Sequence, residues 1–110
     1  MRITPLLALA IALIAAGPTL ARAEPPAVIV TIDNFAFDAP TVTVAPGDTV
    51  TWINHDDEPH TVVSDDGKTF RSKVLDTGER FSFTFMAAGT YGYFCSVHPH
   101  MTAKVVVKGP

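Results

Sequence analysis

Thr41-Val42-Thr43-Val44-Ala45-Pro46-Gly47-Asp48-Thr49-Val50-Thr51-Trp52-Ile53-Asn54 contains two alternating runs around a turn. Successive side chains of an extended strand point to opposite faces, so a period of two sorts them into an inner and an outer row. Val50 and Trp52 fall on one face, Thr49 and Thr51 on the other. Ala45-Pro46-Gly47-Asp48 between the runs is a turn signal. The same alternation recurs outward along the chain. Val28 to Ile32 is one strand upstream. Downstream, Phe81, Phe83 and Phe85 share a face opposite Ser82 and Thr84. Tyr91, Tyr93 and Cys95 line the next strand, and Ala103, Val105 and Val107 line the last, with Lys104 and Lys108 opposite. From Glu24 to Pro110 no apolar repeat of 3.6 residues lasts beyond two turns. The reading is all-β: an antiparallel sandwich or barrel. Ser64 to Lys68 and Asp76 to Glu79 read as turns, and Phe70 to Leu75 as an irregular crossing segment.

The N-terminal stretch reads differently. Met1-Arg2 precedes an unbroken apolar run from Leu6 to Ala16, then Gly17-Pro18 and small residues at Ala21 and Ala23. This is the pattern of a secretory signal peptide over residues 1–23, cleaved after Ala23, ahead of one domain over residues 24–110. The run falls well short of the roughly 20 residues that span a bilayer, so no membrane span is expected in the mature form. The expected compartment is the periplasm. Cleavage would remove Arg2 and Arg22 and no acid, shifting the charge of the 110-residue chain from −3 to −5. An acidic balance argues against a nucleic-acid partner. The single Cys excludes an internal disulfide and any four-cysteine metal site.

Four residues carry chemistry: His60, Cys95, His98 and Met101. Three lie in Cys95-Ser96-Val97-His98-Pro99-His100-Met101, a Cys-x2-His-x2-Met loop between the last two predicted strands. His60 follows Pro59, where it is expected to open a strand beside that loop. Two imidazoles and a thiolate in a plane, with a weak axial thioether, make a blue-copper electron-transfer site. Structural zinc wants four strong ligands, and calcium or magnesium wants oxygen. Cys95, at the start of the loop, is expected to be exposed enough to ligate. His55 and His100 are read as solvent-facing, with His100 a candidate only for assisting copper loading. Asp56-Asp57-Glu58 and Asp65-Asp66 read as solvated loop, or as a cluster that steers a basic partner. The aromatic residues read as core.

With these residues in view, the sequence resembles a cupredoxin of the plastocyanin/amicyanin type, its loop being closest to amicyanin. The resemblance is carried by Ala45 to Asn54, by Pro59-His60-Thr61-Val62, and by Gly89 to Cys95 with the loop after it. It implies a Greek-key β-sandwich of about seven or eight strands. It also implies one copper ion, cycling between the cuprous and cupric states, held by His60, Cys95 and His98 with Met101 axial. By the same resemblance Asn54 ties the two ligand-bearing loops together, and His98 is the exposed edge through which electrons pass. The implied function is a monomeric electron carrier, not an enzyme, serving a c-type cytochrome or a periplasmic dehydrogenase. Copper storage or delivery is the alternative, but His-rich or Met-rich tracts are missing. An enzyme reading, with Cys95 as nucleophile and His60 or His98 as base, finds no Asp or Asn motif for a third member.

Overall fold

Residues 27–109, together with Ile3, are described by a computed structural model. The signal segment expected over residues 1–23 lies, apart from Ile3, outside the described residues. Eight strands follow in order: β1 (Val28–Asp33), β2 (Ala36–Phe37), β3 (Thr41–Val44), β4 (Asp48–Asn54), β5 (Val63–Ser64), β6 (Arg80–Phe85), β7 (Gly89–Phe94) and β8 (Thr102–Val107). There is no helix among the described residues, and none is long and apolar enough to cross a membrane.

The turn between β3 and β4 forms as its residues dictate. Gly47 follows Pro46 with φ of 93°, the left-handed value that a type II turn asks of its third residue. The Asp48 carboxylate accepts the Ala45 amide at 2.9 Å. The strands assemble into two four-stranded sheets, ordered β2-β1-β4-β6 and β3-β8-β7-β5. Most neighbours are antiparallel, but β1 pairs with β4 and β3 with β8 in parallel. The purely antiparallel expectation is therefore corrected. Alternation reports which face is buried and carries no information on direction, and Greek-key crossings bring strands from distant segments side by side.

Inward rows from the two sheets meet in one core. Val30, Ile32, Val50, Trp52, Phe85, Tyr93, Val105 and Val107 are all buried. Trp52 is its centre, stacked on Phe70 and Phe81 at ring-centroid distances of 5.7 and 5.8 Å and meeting Tyr93 edge-on at 5.3 Å. Truncating such a side chain costs about 3–5 kcal/mol through lost transfer energy and the cavity left behind. Phe81, Phe83 and Tyr91 are half-buried and pack against this core.

Two local features depart from expectation. Residues Asp33 to Ala36 form a tight hairpin into β2, a strand the alternation did not reveal. Asn34 and Phe35 both take positive φ, 52° and 58°. Asn tolerates that conformation, but in Phe it costs about 1–2 kcal/mol, because Cβ crowds the next carbonyl. His60 does not open a strand. It makes a single bridge to Leu75, and β5 begins at Val63.

The pairings place the site. Strands β1 and β4 run parallel, so their C-terminal ends lie together. The end of β7 pairs with the start of β5, Phe94 facing Val63. The segments after β1, β4 and β7 therefore converge on one end of the sandwich.

Candidate metal centre

The loop after β7 is wound by its own backbone. The His98 amide donates to the Cys95 carbonyl at 3.2 Å, and the Met101 amide donates to the His98 carbonyl at 2.9 Å. The Cys95 amide donates back to the Met101 carbonyl at 3.0 Å and closes the loop. Two successive four-residue turns thus return the backbone at Met101 beside Cys95 and bring Cys95 Sγ and His98 Nδ1 to the same side. This is the physical content of the Cys-x2-His-x2-Met spacing.

His60 comes from the segment between β4 and β5, and its ring is fixed from behind. Its Nε2 pairs with Asp56 Oδ2 at 2.8 Å, which turns Nδ1 towards the loop. Asp56 Oδ2 also accepts the Phe35 amide at 2.9 Å. That bond first, then the one from His60, holds the Asp56 carboxyl below the usual carboxylate range. Asn54 braces the same segment. Its amide nitrogen donates to the Glu58 and Leu75 carbonyls at 2.9 and 2.8 Å, and its Oδ1 accepts the Asp56 amide at 2.8 Å.

Asn54 therefore does not bridge to the Cys95 loop, as the sequence reading expected. Thr61 makes that connection. Its amide donates to Cys95 Sγ at 3.3 Å, and its hydroxyl oxygen accepts the Ser96 amide at 2.7 Å. Strand register decides this: Thr61 lies directly across from the start of the loop, whereas Asn54 sits behind its own segment.

The donor atoms converge. Cys95 Sγ lies 3.7 Å from His60 Nδ1 and 3.9 Å from His98 Nδ1, and the two nitrogens are 3.2 Å apart. A triangle with these sides has its equidistant point about 2.1 Å from each corner, close to the zinc–imidazole bond length of about 2.0–2.1 Å. The site fits a single transition-metal ion of ordinary bond length. His60 and Cys95 are fully buried, and His98 is partly exposed. The expected exposure of Cys95 is corrected: the sulfur is sealed from water and still faces both imidazoles. Burial alone would raise its thiol. Hydrogen bonds from the Thr61 amide and the two imidazoles outweigh that and bring it from 9.0 down to about 6. The sulfur is thus prepared as a thiolate, the form that binds metal. Met101 is buried at the loop's end, while His55 and His100 are exposed and stand outside the cluster.

Sequence reasoning missed Asp56, Thr61 and Phe35. Asp56 was read as part of an acidic run, although its place four residues before His60 was the available signal. The rings of His60 and His98 each meet the Phe35 ring edge-on, at centroid distances of 5.6 and 5.1 Å.

Comparison with known proteins agrees with this geometry. Residues 26–108 match the family described as copper binding proteins, plastocyanin/azurin family. Amicyanin from Paracoccus versutus is 37% identical over 95 residues, covering 81% of this chain and 72% of the relative. Amicyanin-alpha from Methylorubrum extorquens is 38% identical over 105 residues, covering 90% and 88%. Among solved structures, the Cu(I) form of an amicyanin mutant superposes with a TM-score of 0.70 at 38% identity, over 76% of this chain and 84% of that one. A copper-containing nitrite reductase from Thermus scotoductus shares the fold with a TM-score of 0.73 at 31% identity, over 79% of this chain but 23% of its own.

Proposed function

This chain belongs to the plastocyanin/azurin family of copper-binding proteins, and from that premise we propose that it is a periplasmic blue-copper carrier of single electrons. In this reading His60, Cys95, His98 and Met101 would hold the ion. The observation that carries it is the triangle of Nδ1, Nδ1 and Sγ, drawn from two separate segments at bond-length reach of one point. Copper bound there supplies a one-electron couple that accepts thiolate, thioether and imidazole.

The chain's own residues supply rigidity. Asp56 orients His60, Thr61 and the loop amides orient Cys95, and burial keeps water from both. Ligands that cannot relax between oxidation states keep reorganisation small, and that favours fast transfer. His98 is the ligand nearest solvent, flanked by exposed Val97 and Phe35. That apolar rim supports contact with another redox protein, such as a c-type cytochrome or a dehydrogenase. The N-terminal pattern of residues 1–23 supports export. The nitrite reductase likeness covers a small part of that enzyme, and within this chain the donor cluster is a single one among the described residues. This favours carriage over catalysis.

Copper(II) added to the purified domain is expected to give an intense visible thiolate-to-copper band at one equivalent, bleached reversibly by one electron. A colourless stoichiometric complex would refute the assignment.

A further inference from the structure

Phe35 incurs two costs that the core does not return. It holds a left-handed backbone at the second position of a hairpin where glycine is the usual residue. The residue is 48% exposed and takes no part in the buried cluster. What the ring does meet is the pair of imidazoles, edge-on to each, with interplanar angles of 86° to His60 and 84° to His98. Its amide donates to the Asp56 oxygen that also pairs with His60 Nε2. One carboxylate oxygen therefore ties the hairpin to the site and fixes where the ring stands. Strained backbone that persists without a packing return points to a functional demand.

We infer that Phe35 is a positioning residue for the metal centre, a tethered aromatic wall whose edge restrains the His98 ring and covers it from water. The effect falls on His98 because His60 is already fixed by Asp56 and by full burial. His98 is partly exposed, and its Nδ1 faces only the other two donors. The inference rests on the copper reading above for its consequence, but not for the restraint itself.

The test compares the native domain with Phe35→Gly and Phe35→Leu, copper-free and copper-loaded. Gly removes the strain and the ring; Leu keeps the strain and loses the aromatic edge. In copper-free protein, side-chain NMR relaxation is expected to show the His98 ring loosened in both variants and the His60 ring unchanged. Phe35→Gly should melt no lower than native. In loaded protein, copper(II) loss to excess EDTA should quicken roughly two- to tenfold, the worth of an aromatic edge contact, with a shifted visible band. Native His98 order and native release rates in both variants would overturn the inference. So would a Phe35→Gly protein that melts well below native with His98 undisturbed, for the ring would then be a structural plug. Failure of the native domain to take up copper would defeat the carrier reading alone, since the copper-free ring comparison still decides the role of Phe35.

Discussion

The two halves of the site are held in different ways. The His60 half is fixed in depth. The ring is fully buried, its far nitrogen is bound by Asp56, and Asn54 makes three hydrogen bonds that brace the segment around it. The Cys95–Met101 half is a short loop held by its own turn bonds and by Thr61, with His98 reaching towards solvent. The contrast shows how one site meets two demands. In the proposed carrier a deep, stiff half would keep ligand geometry constant, and a shallow half would bring one ligand near a partner.

Removing the brace should hurt most. Asn54→Ala leaves the Glu58 and Leu75 carbonyls and the Asp56 amide without their partner. A buried orphan costs about 1–3 kcal/mol, so urea unfolding should show a loss of about 2–4 kcal/mol. A loss near zero would mean that the deep half is no stiffer than the shallow one. Next comes Asp56→Ala, which frees the far nitrogen of His60. Partners of metal-bound histidine typically contribute about ten- to a hundredfold in affinity. A competition titration with copper should show that loss, while His100→Ala, on the exposed loop, should leave affinity within about twofold by the same comparison. Equal effects would erase the contrast.

The sulfur links the halves and makes a pH prediction. The folded Cys95 thiol is lowered from 9.0 to about 6. A lowered group stabilises the fold above its unfolded value and loses that contribution as pH falls through the folded one. Copper-free protein should therefore lose the thiolate's share of stability between about pH 9 and pH 6. Urea unfolding of copper-free protein, repeated across that range, should show stability falling with pH, and Cys95→Ala should flatten the dependence. A stability flat between about pH 9 and pH 6 in the native sequence would contradict the role of the Thr61 amide. The smallest effect is expected at Ser96, whose exposed hydroxyl meets the Thr61 hydroxyl at 2.7 Å. Ser96→Ala should cost under about 1 kcal/mol, and a larger loss would show that the shallow half depends on this side-chain contact.

How far the sequence could be read follows from distance along the chain. The loop's donors Cys95 and His98 were legible because their spacing is local and a four-residue turn sets it. The inward rows of β4, β6, β7 and β8 were legible because alternation is local too. Thr61 and Phe35 were hidden because each acts across a gap, whereas Asp56, only four residues before His60, was masked by the acidic run around it. Phe35 meets Asp56 over 21 positions and Thr61 meets Cys95 over 34. Only the paired strands bring them together. The hairpin into β2 was masked by its own sequence, since a Phe stands where Gly would have marked the turn. The parallel pairing of β1 with β4 was invisible because a pattern of faces says nothing of direction.

The central claim is that one sulfur and two imidazoles from separate segments close on a single ion. X-ray absorption at the copper edge of the loaded domain tests it most directly. The expected spectrum has one short sulfur scatterer and two imidazole nitrogens around copper. A shell of nitrogen and oxygen alone, with no short sulfur, would contradict it.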